Sequence, residues 1–482
     1  MIAAPVPLPH KFLQSALTRE GAFLTEEQFL AWFNEKSRNE SYSVRQIPFS
    51  KIKEWFFDKT TGNLAHASGK FFSVHGISVK TNYPALLSWE QPIISQPEIG
   101  ILGIITKTFD GIPHFLMQAK MEPGNINLVQ LSPTLQATKS NFTQVHKGKL
   151  PHYYEFFEGR PQGKIIVDQL QSEQGARYLN KRNRNIIIAI EDDIEVYENF
   201  CWLTLGQMKQ LLRYDNVINM DSRTVLSGIQ FVDQNRAGDG SRGKTAPSIE
   251  LFGKSLNEFQ HSLYLSLIDR ENNLHRFEDI ISWFTRLKSK CEIRVTPIPL
   301  NKVQRWHKND YEIYHESQHY FSIIAVEVTT NDREVPSWTQ PLLKHFSCGI
   351  VGFLVAPING VLHFLVEARM TPGYIDLIEM GPTVSCSELE YRIQSETAPL
   401  FTEFFYHADE KNIRFSAILS EEGGRFYHYQ NKYMIVETDS PDRLTIPDGY
   451  IWMTYGQMLD FIKHTNYINI EARTLIACLS FL

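Results

Sequence analysis

The chain reads as an α+β fold built from two tandem copies of one unit. HFLMQAKMEPGNINLVQLSPTLQ (114–136) aligns with HFLVEARMTPGYIDLIEMGPTVS (363–385), with 11 of 23 residues identical. WLTLGQMKQLLRYDNVINMDSRTVLSGI (202–229) aligns with WMTYGQMLDFIKHTNYINIEARTLIACL (452–479), with 10 of 28 identical. The offsets are 249 and 250, and Trp55 with Trp306, Trp89 with Trp338 and Arg177 with Arg425 fall close to them. A period this long marks duplicated domains rather than a solenoid. The expected division is residues 1–231 and 255–482, joined by 232–254. The core of that joint, DQNRAGDGSRGKTAPS (233–248), is Gly- and Asp-rich and apolar-poor, as a flexible linker is.

Each copy starts with a helix and passes into strands. From Gly21 to Asn34 the apolar residues Phe23, Phe29, Leu30, Trp32 and Phe33 recur at helical spacing, with Thr25 as the N-cap before Glu26 and Glu27. Trp283 and Phe284 mark the partner helix. Strand-like runs follow: GKFFSVHGISVKT, GILGIITKTFDGIPHFLMQAKM, GKIIVDQLQ and NRNIIIAI. Asp110-Gly111 between two β-rich runs predicts a hairpin. Thr204 with Gln207, and Thr454 with Gln457, have capping-box spacing at the start of closing helices. Met208, Leu211 and Leu212 behind them form a core stripe.

Composition removes several functions. A net charge of −6 argues against a protein held by charge to nucleic acid or an anionic membrane. The longest apolar stretch, Cys348 to Ile358, is too short to span a bilayer, and MIAAPVPLPHKF is not a secretory signal. Five scattered cysteines without a CxxC give no disulfide framework and point to the cytoplasm. No dinucleotide fingerprint, P-loop or GxSxG elbow occurs. HESQH (315–319) matches HExxH, but its surroundings read as strand, and zinc proteases need that motif on a helix.

Two polar segments carry chemistry. Residues 120–141 interleave amides and hydroxyls with apolar residues, which suits a neutral, hydroxyl-rich ligand such as a sugar. Lys120, Asn125, Asn127, Thr134 and Gln136 are its candidate binding groups. Residues 171–185 carry Arg177, Lys181, Arg182 and Arg184 with Tyr178 and Asn183, a pattern suited to a diphosphate beside a stacked base. Trp55 is a further candidate for the base.

At these residues the sequence resembles the NDP-hexose 2,3-dehydratases. The matching motifs are Trp55 to Val74, EPGN-x-N-x-VQL-x-PT-x-Q-x-T-x-SN (Glu122 to Asn141), QSEQG-x₅-KRNRN (Gln171 to Asn185), SEEGGRFYH (Ser420 to His428) and W-x-T-x-GQM (Trp452 to Met458). The resemblance implies two Nudix-like domains, each a mixed-sheet α/β/α unit, assembled as a homodimer. It implies action on dTDP-4-keto-6-deoxyglucose with neither a metal nor a redox cofactor. The product would be a 3,4-diketo-2,6-dideoxy sugar nucleotide, passed to a separate C3 ketoreductase. The acidic Nudix box is absent from the sequence, which argues against the rival reading of a metal-dependent sugar-nucleotide pyrophosphatase. A binding protein that has lost its chemistry is the other rival.

The chemistry needs no hydride acceptor. The C4 carbonyl acidifies the C3 hydrogen; a base removes it, the C2 hydroxyl leaves, and the C3 enol becomes a ketone. The protein must supply a base, an acid and donors near the C4 oxygen. Glu122, the carboxylate of the EPGNIN loop, is the first candidate, with Gln130, Tyr153 and Glu155 as further catalytic candidates and Tyr154 and His152 as possible acids. The second copy replaces Glu122 by Thr371, Asn125 by Tyr374, Gln130 by Glu379 and Gln136 by Ser385 but keeps its prolines and glycines. The N-terminal half is therefore expected to hold the active pocket. Trp306, Arg369, Glu379, Thr383, Arg425 and Asn431 would line a degenerate second pocket.

Overall fold

The computed structural model describes residues 7–38, 42–85, 87–138, 150–232, 256–330, 336–387 and 399–481. The linker segment 233–248 lies outside them. The fold is mixed α and β, dominated by sheet, with each half repeating the topology of the other.

In the first half, strands Lys164–Ser172, Arg182–Ile190, Gly100–Phe109, Ile112–Met121 and Phe200–Leu203 lie side by side. The short strands Val129–Ser132 and Leu135–Ala137 complete a seven-stranded sheet. The contact between Arg182–Ile190 and Gly100–Phe109 is parallel, and the others are antiparallel. In the second half, Ile413–Ser420, Gln430–Glu437, Gly349–Ile358, Val361–Met370 and Tyr450–Thr454 repeat this order. The expected hairpin is present, with Asp110 and Gly111 both at positive φ (49° and 82°), as a primed two-residue turn requires.

Each half also contributes to a second, six-stranded sheet, and here the halves exchange strands. Ser43–Ile47 of the first half pairs with Phe321–Thr329 of the second, and Ile293–Ile298 of the second pairs with Ser73–Thr81 of the first. The largest buried cluster accordingly draws on both halves, from Phe12, Phe29 and Phe115 to Phe284, Phe364 and Phe481.

The first capped helix is Glu26–Ser37, starting later than Gly21, because Thr25 and Gln28 close a capping box there. A preceding helix, Leu8–Ala16, has no capping side chain at Pro7. Tertiary contacts hold it instead: Phe12, Leu13 and Ala16 are buried, and the Ser15 hydroxyl donates to the Pro113 carbonyl at 2.7 Å. The boxes at Thr204 and Thr454 are both closed. His315 ends a strand, Glu312–His315, rather than standing on a helix. Among the described residues no group of three or more His, Cys, Asp or Glu side chains is placed to hold a metal.

Candidate active site

The loops that sequence analysis assigned to one half each meet loops of the other half. Gly124 N–H donates to the Gly423 carbonyl at 2.7 Å, and His428 N–H donates to the Gly124 carbonyl at 2.8 Å. Across the pseudo-twofold, Gly373 N–H donates to the Gly175 carbonyl at 2.8 Å, and Asn180 N–H donates to the Gly373 carbonyl at 2.9 Å. A Cβ on either Gly124 or Gly373 would stand 1.7 Å from a backbone oxygen, of Phe426 or Tyr178, so only glycine fits. The EPG loop of one copy and the SExG loop of the other thus build each site together.

The first composite site gathers charge. Lys120 forms an ion pair with Glu122 at 2.9 Å, and both side chains are largely enclosed (18% and 12% exposed). The Lys120 ammonium also reaches the Gln136 carbonyl at 3.3 Å. A Cβ built on Gly424 would lie 2.5 Å from Glu422 Oε1 and 3.5 Å from Glu122 Oε2, which puts the two carboxylates around one glycine. The Tyr178 hydroxyl donates to Glu422 Oε2. Arg425 lies over the Phe72 ring, 4.3 Å from its centroid, and donates to Gln96 at 3.2 Å. Glu173 accepts from Asn183 at 2.7 Å, and burial, with the Glu422 charge, pushes its pKa up to about 7. Lys181 is buried, and its ammonium donates to the Glu98 carbonyl at 2.5 Å.

The second composite site has the same frame with different chemistry. Arg177 lies over Phe321 (4.4 Å) and donates to His345 Nε2 at 3.2 Å. His345 stacks on Tyr429 at 3.5 Å, and burial followed by the Arg177 charge keeps its pKa well below the usual imidazole range. Thr371 stands where the first site has Glu122, and Phe426 where it has Tyr178. Gln174 donates to Glu421 Oε2 at 2.5 Å, an amide–carboxylate contact in place of the carboxylates of Glu173 and Glu422. Asn431 and Tyr433 donate to the other Glu421 oxygen at 2.7 and 2.8 Å. Arg369 is held by Glu367 (3.0 Å) and the Ser385 carbonyl (2.8 Å).

Arg177 and Tyr178 are neighbours in sequence, yet they serve different sites. Arg177 faces His345 of the second site, and Tyr178 faces Glu422 of the first. Arg425, placed by sequence in the second pocket, stands beside Gln96 in the first.

Other candidates have structural partners. Trp55 is buried against Phe72 and His66, and its indole N–H donates to the Thr339 carbonyl at 3.0 Å. The Trp306 indole likewise donates to the Glu90 carbonyl at 3.3 Å. Thr134 donates to the Leu116 carbonyl at 2.5 Å, and Thr383 donates to Leu365. Arg184 is engaged by Asp168 through two bonds of 2.7 Å, and Arg182 is half-buried on the same strand. Asn127 bridges the Asn216 carbonyl (2.9 Å) and Gln130 (3.0 Å). Asn125 donates to the Leu128 carbonyl at 3.1 Å. Tyr153 donates to the Glu195 carbonyl at 2.7 Å and packs on Tyr197 and Phe200, with Glu155 exposed beside it.

Gln130 and Glu379 are interlocked between halves. The Ser420 hydroxyl donates to Gln130 Oε1 at 2.7 Å, and the Ser172 hydroxyl donates to Glu379 Oε2 at 2.6 Å. Burial pushes the Glu379 pKa up to about 7 from 4.5. A carboxyl raised in the fold stabilises it fully below the unfolded value and loses that contribution as pH rises through 7. Glu379→Gln, which copies Gln130 and can still accept from Ser172, should therefore be more stable than wild type by roughly 1–3 kcal/mol at pH 8, with the gain gone at pH 4. Urea midpoints at the two pH values check this.

Glu173, Glu421 and Glu422 stand inside the family motifs without a spacing that marks them as site residues, and the signal for Asp221 and Arg223 is the acid and arginine that the aligned helix keeps in both copies.

A sequence model of the family described as NDP-hexose 2,3-dehydratase matches this chain twice, over residues 26–229 and 277–479. The chain belongs to that family. A dTDP-4-dehydro-6-deoxy-α-D-glucopyranose 2,3-dehydratase of Saccharopolyspora spinosa is 43% identical, the match covering 97% of this chain and 94% of the relative. Proteins of the same description from Amycolatopsis orientalis (41% identical, covering 97% and 92%) and Streptomyces violaceoruber (40%, covering 93% and 96%) are also similar. The two family matches coincide with the two halves that exchange strands, so in this 2,3-dehydratase family member the duplicated unit and the composite sites share one symmetry.

Proposed function

We propose that this protein is a dTDP-4-keto-6-deoxyglucose 2,3-dehydratase, a hydro-lyase that works at the first composite site. The reading is carried by the asymmetry of charge. The first site sets Glu122 2.9 Å from Lys120 and next to Glu422, whereas in the second Thr371 replaces Glu122, the matching cation Arg369 pairs with Glu367, and a Gln174–Glu421 bond stands at the place of two carboxyls. Glu122 takes the C3 proton. Lys120 donates toward the C4 oxygen as the enolate forms, a charge that a fixed cation in an enclosed site stabilises strongly. Arg425 offers its guanidinium to the diphosphate.

The same reading treats each half as a Nudix-like α/β/α unit, supported by its mixed seven-stranded sheet with flanking helices. It also has the enzyme act as a cytoplasmic homodimer ahead of a C3 ketoreductase, since a vicinal diketone is reactive and needs prompt reduction. No helix of the described residues is long and apolar enough to cross a membrane.

The test supplies dTDP-4-keto-6-deoxyglucose with a C3 ketoreductase and NADPH. A dTDP sugar that has lost the C2 oxygen is expected. Recovery of dTMP and a sugar phosphate, or of unchanged substrate, would overturn the reading.

A further inference from the structure

Asp221 follows the N-cap of helix Met220–Leu226, but it does not cap that helix. Asn219 accepts the Ser222 N–H at 2.8 Å and fills that role. The Asp221 side chain is 3% exposed, and its Oδ1 atom has no hydrogen-bond partner among the described residues. The charges that bear on it are Glu422, Glu173 and Glu122, with Lys120 as the cation. Glu173, 4% exposed, likewise has one oxygen without a partner. An enclosed carboxyl facing three others cannot stay ionised cheaply, and unmet polar atoms at such depth mark a place where something polar binds.

The other copy supplies the contrast. Glu471 holds the matching position, likewise has one buried oxygen without a partner among the described residues and faces Glu379 and Glu421, but three guanidiniums, Arg369, Arg473 and Arg177, offset that burial. Carboxyls surround this position in both sites, but three guanidiniums balance them in the second, whereas Lys120 is the cation that acts in the first.

We propose that Asp221 is the general acid that protonates the departing C2 hydroxyl. The assignment rests on the dehydratase reading above. Burial first, then Glu422 and Glu173, hold its pKa well above the carboxylate range, against the pull of Lys120. Those surroundings favour its protonated form, whereas the Glu122 carboxylate lies 2.9 Å from the Lys120 ammonium. Two carboxyls pushed apart by their surroundings divide acid and base work.

The protons balance. Glu122 takes the C3 proton, and the C3–H electrons form the enolate and then the C2=C3 bond. The C2–O bond breaks with its electron pair on oxygen, Asp221 gives that oxygen its proton, and water leaves. The enol then passes its O–H proton to the Asp221 carboxylate while C2 takes the proton held by Glu122. Both side chains return to their starting states, and the net change is loss of one water.

Asp221→Asn keeps the size of the side chain and removes the acid. Its kcat for dehydration is expected to fall by about 10²–10⁴-fold, with calorimetric dTDP affinity unchanged and C3–H exchange into deuterated water retained. The decisive measurement uses the 2-deoxy-2-fluoro analogue of the substrate, because fluoride leaves without being protonated. Asp221→Asn should release fluoride at a rate within a few-fold of wild type. If Asp221→Asn does not fold, Asp221→Ser is read in the same assays.

Dehydration within tenfold of wild type would overturn the assignment. So would loss of fluoride release and C3 exchange together with dehydration, which would make Asp221 the base or a structural group. A wild-type enzyme that releases no water overturns the dehydratase reading and this assignment with it.

Discussion

Glu122→Gln is expected to lower dehydration by about 10²–10⁴-fold and to stop exchange of the C3 hydrogen with solvent deuterium. The carboxylate sits 2.9 Å from the Lys120 ammonium and is 12% exposed. Glutamine preserves its length and its ability to accept a hydrogen bond, so the loop can keep its shape. It cannot take a proton from carbon. The fluorinated substrate separates this variant from Asp221→Asn: without a base, fluoride release should stop as well. Thr371→Ala, the matching change in the second composite site, removes no carboxylate and should leave turnover within a few-fold of wild type. Full C3 exchange in Glu122→Gln would take the base role away from this residue. Loss of turnover in Thr371→Ala with Glu122→Gln unaffected would place the chemistry in the other site.

What was legible in the sequence follows from what pattern encodes. The hairpin at Asp110-Gly111, the N-cap at Thr25 and the capping boxes at Thr204 and Thr454 are local devices, and local sequence states them directly. The duplication was legible because both copies need the same prolines, glycines and apolar positions to fold. Strand exchange was not. The period-two pattern of Ser43–Ile47 does not say which sheet it joins, and its partner Phe321–Thr329 lies more than 270 residues away. The composite character of the sites was hidden for the same reason. The EPG loop was recognised, and so was the SExG loop, but each was assigned to its own half. That is why Arg177 and Arg425 were placed in each other's sites, and why Glu422 was missed as a neighbour of Glu122. Trp55 is a different case. A tryptophan flanked by polar residues reads as a stacking surface, yet its ring is packed on Phe72 and its N–H is used by Thr339.

Arg223→Met is expected to destabilise the fold by about 3–5 kcal/mol, the range for breaking a buried charged contact. Arg223 is fully enclosed. One arm of its guanidinium donates to the Ile218 carbonyl of its own half at 2.7 Å, and the other donates to the Ser420 carbonyl of the opposite half at 2.5 Å. Its charge also offsets that of buried Glu421. Arg473 repeats the device, with bonds to Ile468 (2.6 Å) and to Ser172 across the twofold (2.5 Å). Methionine fills much of the same volume, but it leaves two buried carbonyls unmet and Glu421 without its cation. Arg223→Lys should recover little, since a single ammonium does not reproduce the planar fork that spans two carbonyls. Equilibrium urea titration reads the loss, and a shift under about 1 kcal/mol would contradict it. A functional consequence goes with the loss. The Ser420 hydroxyl bonds Gln130, and Ser420 leads into Glu422 and the glycines that meet the EPG loop. Releasing the Ser420 carbonyl therefore loosens the first composite site before the chain unfolds. Turnover in Arg223→Met should fall at urea concentrations where the intrinsic fluorescence of the folded state is unchanged. Activity and fluorescence falling along one curve would show that the arginine holds the fold but does not separately set the geometry of the site.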